Sequence, residues 1–311
     1  MRVSSTATLV QALEPLRSDP TRAAVLLDVD GTLAPIVEHA EDAHVSEATR
    51  ALLIEVTKRY GLVGCVSGRR AQAARQIVAI GSIAYIGNHG GELLAPGSTK
   101  TQLLDPTIAE WGERVAAFAD EAYDGHLRAL RVRREEKGVV VAFHWRGSRD
   151  EAEAEAALKA LAGRATELGL AVHWGRKVLE VRPPVALEKG RGIAALFEEA
   201  QGTPERKQER STAEEESTQE GDGPPGPGAV GAGPGGPKAG TEGLATAMYV
   251  GDDRTDLDAF RELRTMVAAG TLGYALCVAV ASDEAPGELV EQADVVVDGP
   301  TEVRALLAAL L

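Results

Sequence analysis

Four short apolar runs, each ending abruptly in polar residues, constrain the fold of this chain more than any other feature. The first runs from Ala23 to Val29 and is interrupted by Asp28 and Asp30, with Gly31 and Pro35 behind them. The second, Leu62 to Val66, ends in Ser67-Gly68-Arg69. The third, Ala84-Tyr85-Ile86, ends in Gly87-Asn88-His89-Gly90-Gly91. The fourth, Ala247 to Val250, ends in Gly251-Asp252-Asp253-Arg254-Thr255-Asp256. Runs of this length and composition read as buried strands, and the intervening helical patterns make the sheet parallel. A parallel sheet gathers its strand ends at one edge, where open α/β folds bind ligands. The expected fold class is therefore α/β, with a Rossmann-like parallel core.

Residues two apart on a strand point to the same side, so the carboxylates of Asp28 and Asp30 reach one place. Crowded carboxylates repel unless a cation or a shared proton relieves them, and Mg²⁺ is a hard ion that prefers oxygen donors. Each motif also has a plain structural reading when taken alone. Asp30-Gly31 fits a turn, Ser67 fits an N-cap, the Asn88 glycine cluster fits a hairpin, and acidic residues suit a helix N-terminus. Lys189 is different. It opens a helix from Gly190 to Ala200, where the dipole disfavours a cation, so its position asks for an anionic partner. Taken together, the strand ends supply a carboxylate nucleophile, a second carboxylate, a hydroxyl, a lysine and metal-binding aspartates. That set suits phosphoryl transfer, in which cations neutralise the phosphate so that an anionic nucleophile can approach.

The remainder of the chain falls into recognisable pieces. Thr8 to Leu16 carries a short amphipathic pattern, and Ser46 to Arg59 reads as a helix. Between them, a loop holds Glu38, His39, Glu41, Asp42 and His44, in a spacing that fits no metal site. From Thr107 the order becomes helix (Ile108 to Tyr123), strands (Leu127–Arg134 and Gly138–Trp145), helix (Arg149 to Leu168) and strands (Leu170–Trp174 and Lys177–Val181), closing at Pro183-Pro184. This predicts an inserted α+β domain over 107–183, within a discontinuous core of 1–106 and 184–311. Residues 201–243 contain 11 Gly and 6 Pro among 43 residues, with Val230 the only large aliphatic, and read as a disordered insertion. Strands at Ala275–Val280 and Val295–Val297 and a helix from Thr301 to Leu311 complete the expectation.

The net charge of −14 argues against nucleic acid or an anionic membrane as the main partner. It leaves room for a phosphorylated small molecule held by local cations. Cys65 and Cys277 both lie in apolar runs and read as buried hydrophobes. No leader-like or membrane-spanning run is evident, so a soluble cytoplasmic monomer is the starting expectation.

Asp28-Val29-Asp30-Gly31-Thr32-Leu33, Ser67-Gly68-Arg69, Lys189 and Gly251-Asp252-Asp253 with Asp256 resemble the four motifs of haloacid dehalogenase (HAD) superfamily phosphatases. Gly87-Asn88-His89-Gly90, Glu136-Lys137-Gly138, His144-Trp145-Arg146 and Glu180-Val181-Arg182-Pro183 resemble the trehalose-6-phosphate phosphatase family within it. Leu257 departs from that family's pattern, which usually has Glu there. The resemblance implies that Asp28 attacks phosphorus, that Asp30 is the general acid and base, and that Lys189 assists catalysis and holds phosphate with Thr32, Ser67 and Gly68. It implies Mg²⁺ held by Asp28, Asp30 and Asp252, with Asp253 and Asp256 in support. The inserted domain would be a mobile cap, with Lys137, His144, Arg146, Glu180 and Arg182 reading the sugar opposite Arg69, Asn88 and His89. The implied substrate is trehalose 6-phosphate. Another sugar phosphate, such as sucrose phosphate, is the alternative, and a catalytically silent sensor is a more distant one.

Overall fold

The computed structural model describes residues 6–37, 42–105, 107–175, 177–185, 187–202, 243–282 and 285–311. Glu38, His39, Glu41 and most of the Gly/Pro-rich insertion lie outside the described residues. Strand β1 (Ala23–Asp28) occupies the middle of an eight-stranded sheet. On one side it pairs in parallel with β10 (Thr246–Gly251), followed by β11 (Tyr274–Ala281) and β12 (Val295–Asp298). On the other side it pairs in parallel with β2 (Leu62–Val66), then β3 (Ala84–Gly87). Strands β4 (Glu92–Leu94) and β5 (Gln102–Leu103) extend this side antiparallel. The sequence reading missed both, because each is too short to show a period.

Successive side chains of the central strands enter opposite cores, so both faces need helices. Val25, Leu27, Met248 and Val250 face α1 (Thr6–Ser18), α2 (Glu47–Arg59), α3 (Ala71–Val78) and α10 (Gly299–Ala309). Leu26, Ala247 and Tyr249 face α7 (Lys189–Gln201), α8 (Asp256–Ala268) and α9 (Gly287–Gln292). Helix α9 was not expected, and α8 starts three residues before the predicted Ala259.

A second, four-stranded antiparallel sheet has the order β6-β7-β9-β8. Its strands are β6 (Arg133–Lys137), β7 (Val140–His144), β8 (Ala171–Gly175) and β9 (Val178–Arg182). Helices α4 (Thr107–Ala122) and α6 (Glu151–Glu167) cover one face through a separate core that includes Phe118, Phe143, Leu158 and Leu179. One expectation fails here. The predicted strand Leu127–Arg134 is instead a short helix, α5 (Gly125–Ala129), and β6 starts only at Arg133. Asp124 caps α5 by accepting from the backbone N–H groups of His126 and Leu127, both at 3.0 Å. Strand β6 itself reads Arg-Arg-Glu-Glu-Lys and offers no apolar alternation to detect.

A Cβ on Gly243 would lie 3.6 Å from Gln201 Cγ, so the chain leaves α7 and returns to the sheet at nearly the same point. Loop-closure entropy grows only with the logarithm of length, so deleting residues 205–240 should change stability by little, on the order of 1 kcal/mol. Thermal melting and phosphate release of the deletion variant check this. An unfolded or inactive variant would show that the segment contributes to the fold or the site.

Candidate active site

Gly31 (φ +83) turns the chain immediately after Asp30, and its N–H donates to the Ala34 carbonyl at 2.8 Å. A Cβ there would lie 2.0 Å from Asp252 Oδ2, so only glycine lets the β1 and β10 ends approach this closely. Gly251 plays the same part at the other end, where a Cβ would lie 2.2 Å from Asp256 Cγ. These two glycines bring the acidic groups of two neighbouring strand ends into one buried cluster.

Lys189 lies at the centre of the cluster and is 2% exposed. Its Nζ donates to Asp28 Oδ1 and to Asp256 Oδ1, both at 2.7 Å, and stands 4.0 Å from Asp253 Oδ1. The anionic partner that its helix-start position called for is thus a pair of carboxylates. Asp256 also accepts from Tyr249 Oη at 2.5 Å and from the Asp253 N–H at 2.9 Å. Asp252 accepts from Thr32 Oγ1 at 3.2 Å. Burial would lower the pKa of Lys189, but Asp256 and Asp28 outweigh it and hold the ammonium. Burial drives the Asp28 carboxyl well above its ordinary range against the pull of Lys189, and the neighbouring aspartates add to the rise. Burial, then Asp256 and Asp253, push Asp252 up to about 7.

Asp28, Asp252 and Asp256 each offer a carboxylate oxygen within 4.8 Å of the other two. One ammonium faces four acidic groups, and three of them are oxygen donors close enough to share an ion. This donor set fits a hard divalent cation. Asp30 stands slightly apart and is held by Arg69 in a two-pronged pair, Nε to Oδ2 at 2.7 Å and Nη2 to Oδ1 at 2.8 Å.

The cluster opens into a cleft of about 890 Å³ between the two sheets, within the size range of small-molecule sites. Asp28, Asp30, Ser67, Gly68, Arg69, His89, Lys189, Asp252 and Asp253 line its core side. Lys137, Glu180 and Arg182 line the opposite side. Glu180 is clamped there, accepting from Lys137 Nζ at 3.2 Å, from Arg182 Nε at 3.0 Å and from Arg182 Nη2. Burial works to raise its pKa, but the two cations prevail and hold it at about 2. Ser67 Oγ accepts from the Arg69 N–H at 3.1 Å. The His89 ring is pushed down to about pH 4 by burial and by the Lys189 and Arg182 charges, so it is neutral.

Not every expected residue reaches the cleft. Thr32 is fully buried against Asp252, and Asp256 lies behind Lys189. Asn88 is fully buried, with its amide on Glu92 at 2.7 Å. His144 bonds Glu135 Oε2 at 2.8 Å instead of lining the cleft. Arg146 is exposed in the turn after β7 and is not among the lining residues, which corrects the expectation that it faces the sugar. The cleft has further lining residues that the sequence reading missed, including Glu135 on β6 and His173 on β8. Glu135 sits two residues before Lys137 on one strand face, a period-2 signal hidden by the misplaced strand. His173 pairs with Glu180 across β8 and β9, which local sequence does not reveal.

No helix among the described residues is long and apolar enough to cross a membrane. The family model for trehalose-phosphatase matches residues 26–285. A trehalose-phosphate phosphatase of Mycobacterium avium is 30% identical over 247 residues, covering 78% of this chain and 51% of that protein. An uncharacterized glycosyl hydrolase of Mycobacterium tuberculosis is 32% identical over 249 residues, covering 78% of this chain. The chain thus spans about half the length of the first relative and 15% of the second. Among solved structures, the C-terminal domain of C. albicans trehalose-6-phosphate phosphatase shares the fold, with a TM-score of 0.66, 20% identity and coverage of 99% of this chain and 98% of that one. With the family model matched across all four strand-end motifs and the intervening domain, the chain belongs to the trehalose-phosphatase family.

Proposed function

We propose that this chain is a Mg²⁺-dependent phosphatase that hydrolyses trehalose 6-phosphate to trehalose and phosphate. The observation that carries the reading is the buried Asp28–Lys189–Asp256 cluster at the head of a cleft, with the Glu180 clamp across from it. Asp28 attacks phosphorus, forming an aspartyl phosphate as the bond to the sugar oxygen breaks. Asp30, protonated once it parts from Arg69, gives its proton to the departing sugar oxygen, then takes one from the water that attacks the aspartyl phosphate. This returns Asp28 as a carboxylate and releases phosphate. Lys189 and Ser67 hold phosphate oxygens, with Gly68 leaving room for them, and Arg69 orients Asp30. Thr32 acts through Asp252. Asp28, the Asp30 carbonyl and Asp252 would hold the ion, with Asp253 and Asp256 behind them. When bound, Mg²⁺ neutralises charge on the phosphate so that an anionic nucleophile can approach.

The second domain acts as the cap. Its Lys137, Glu180 and Arg182 meet sugar hydroxyls, with His89 facing them from the core. His144 orients Glu135, and Asn88 supports His89. Phosphate release from a panel of sugar phosphates with Mg²⁺ tests this. Trehalose 6-phosphate should be the best substrate; equal or better turnover of sucrose phosphate, or no turnover of any sugar phosphate, would overturn the reading.

Glu180→Ala should raise KM for trehalose 6-phosphate far more than for p-nitrophenyl phosphate. A charged hydrogen bond to a hydroxyl is worth about 1.5–3 kcal/mol, so the specificity ratio should fall roughly 10- to 100-fold. Equal effects on both substrates would show that Glu180 does not read sugar.

A further inference from the structure

The loop from Asn88 to Gly91 touches the Ser67–Arg69 segment and the start of α7, two of the segments that build the site. The Asn88 N–H donates to the Arg69 carbonyl at 2.8 Å, and the His89 N–H to the Ser67 carbonyl at 3.1 Å. A Cβ on Gly68 would lie 2.6 Å from the His89 ring, and one on Gly90 would lie 2.0 Å from the carbonyl of Glu188, just before Lys189. Asn88 and His89 both take positive φ, 49° and 51°, a left-handed conformation that costs about 1–2 kcal/mol per residue without compensation.

Glu92 supplies the compensation. This buried carboxylate accepts from the Ala71 N–H at 2.9 Å and from Asn88 Nδ2 at 2.7 Å. Because a carboxylate only accepts, Nδ2 must face Glu92 and Oδ1 must face away. That oxygen is buried and has no hydrogen-bond partner. It faces the second domain. At Gly138 (φ +74), in the β6–β7 turn, a Cβ would lie 2.4 Å from Asn88 Oδ1 and 2.6 Å from Arg70 Cγ. The turn therefore rests on the Asn88 amide with no room for a side chain.

We propose that Asn88 is the docking point of the cap: its Oδ1 accepts a backbone N–H from the β6–β7 turn when the cap closes on a sugar phosphate. Glu92 is the positioning residue that aims this oxygen, and Gly138 is the surface that seats on it. The docking couples cap closure to the Ser67–Arg69 loop through the Asn88–His89 backbone. The sugar-phosphate part rests on the phosphatase reading above; the seat itself rests on geometry alone.

The test is a double-mutant cycle on the full chain. Gly138→Ala should lower kcat/KM for trehalose 6-phosphate by about tenfold or more, and for p-nitrophenyl phosphate by less than about twofold, since a small ester needs no closed cap. Asn88→Ala removes the amide that the new methyl would strike. In the double variant the two losses should therefore overlap instead of multiplying. Gly138→Asn separates contact from backbone strain, because Asn tolerates positive φ yet still carries a Cβ; it should behave like Gly138→Ala. Glu92→Gln offers one acceptor to two donors and lets the Asn88 amide turn its oxygen away from the cap, so it should lose the sugar substrate selectively, as should Glu92→Ala. Multiplying effects, or equal losses on both substrates, would overturn the docking. Amide exchange at 137–139 is read alongside. It should quicken several-fold in Gly138→Ala and in Asn88→Ala, and unchanged exchange in both would overturn the seat whichever substrate the enzyme proves to take.

Discussion

Asp28→Asn is expected to lower phosphatase activity by on the order of 10³–10⁶-fold, the range seen when a catalytic nucleophile is removed, while the protein melts at or above the parent temperature. The amide keeps the shape of the carboxyl and still offers Oδ1 to Lys189, so the 2.7 Å contact survives. It cannot form an acyl phosphate. It also removes one charge from a cluster whose carboxyl groups are pushed upward by burial and by each other, so the metal-free fold should gain stability if it changes at all. Steady-state phosphate release and a thermal melt check both halves. Substantial activity in Asp28→Asn would exclude Asp28 as the nucleophile, and a large fall in melting temperature would show that its charge holds the fold.

Lys189→Met should abolish turnover and destabilise the protein by about 3–5 kcal/mol at pH 8, the usual cost of leaving a buried charge unpaired. Without the ammonium, Asp28, Asp252, Asp253 and Asp256 face one another with nothing between Asp28 and Asp256. The loss should shrink on acidification. Asp252 titrates at about 7 in the folded parent against an ordinary 3.8, so between these values the folded state holds a proton that the unfolded state lacks. Its contribution to stability therefore rises as pH falls from 7 towards 4 and is lost as pH rises through 7. The proposed Mg²⁺ binds ionised carboxylates, so it should stabilise the parent more at pH 8 than at pH 5, and EDTA should reverse the gain. Melting curves at both pH values, with Mg²⁺ and with chelator, read these effects. A Lys189→Met protein with parental stability at pH 8, or a Mg²⁺ effect independent of pH, would contradict the charge balance described.

The core sheet was legible because its strands are buried on both faces and each ends in a sharp change of composition, as at Asp28-Val29-Asp30-Gly31. The Lys189 position was legible because a cation at a helix start is electrostatically wrong unless an anion faces it, and Asp28 and Asp256 do. Strand β6 was hidden because its residues are charged on both faces, and its order comes from pairing with β7 instead of from its own pattern. The same misplacement concealed Glu135. Asn88 read as a cleft residue because its motif is polar and glycine-rich; only the fold shows its amide turned onto Glu92. Arg146 follows His144 by two residues, yet the strand ends at His144 and the turn carries Arg146 into solvent. Local pattern locates strand ends well; which way a side chain points after the strand stops depends on tertiary contacts.

The central claim, that Asp28 carries the phosphoryl group between sugar and water, is tested most directly by stereochemistry at phosphorus. A sugar phosphorothioate made chiral with two oxygen isotopes is hydrolysed in water carrying the third, and the configuration of the released thiophosphate, in which sulfur is the fourth distinct substituent, is determined. Two successive in-line displacements, first at Asp28 and then by water, give net retention, which is the expected result. Net inversion would mean that water attacks the substrate directly, and would contradict an aspartyl phosphate at Asp28.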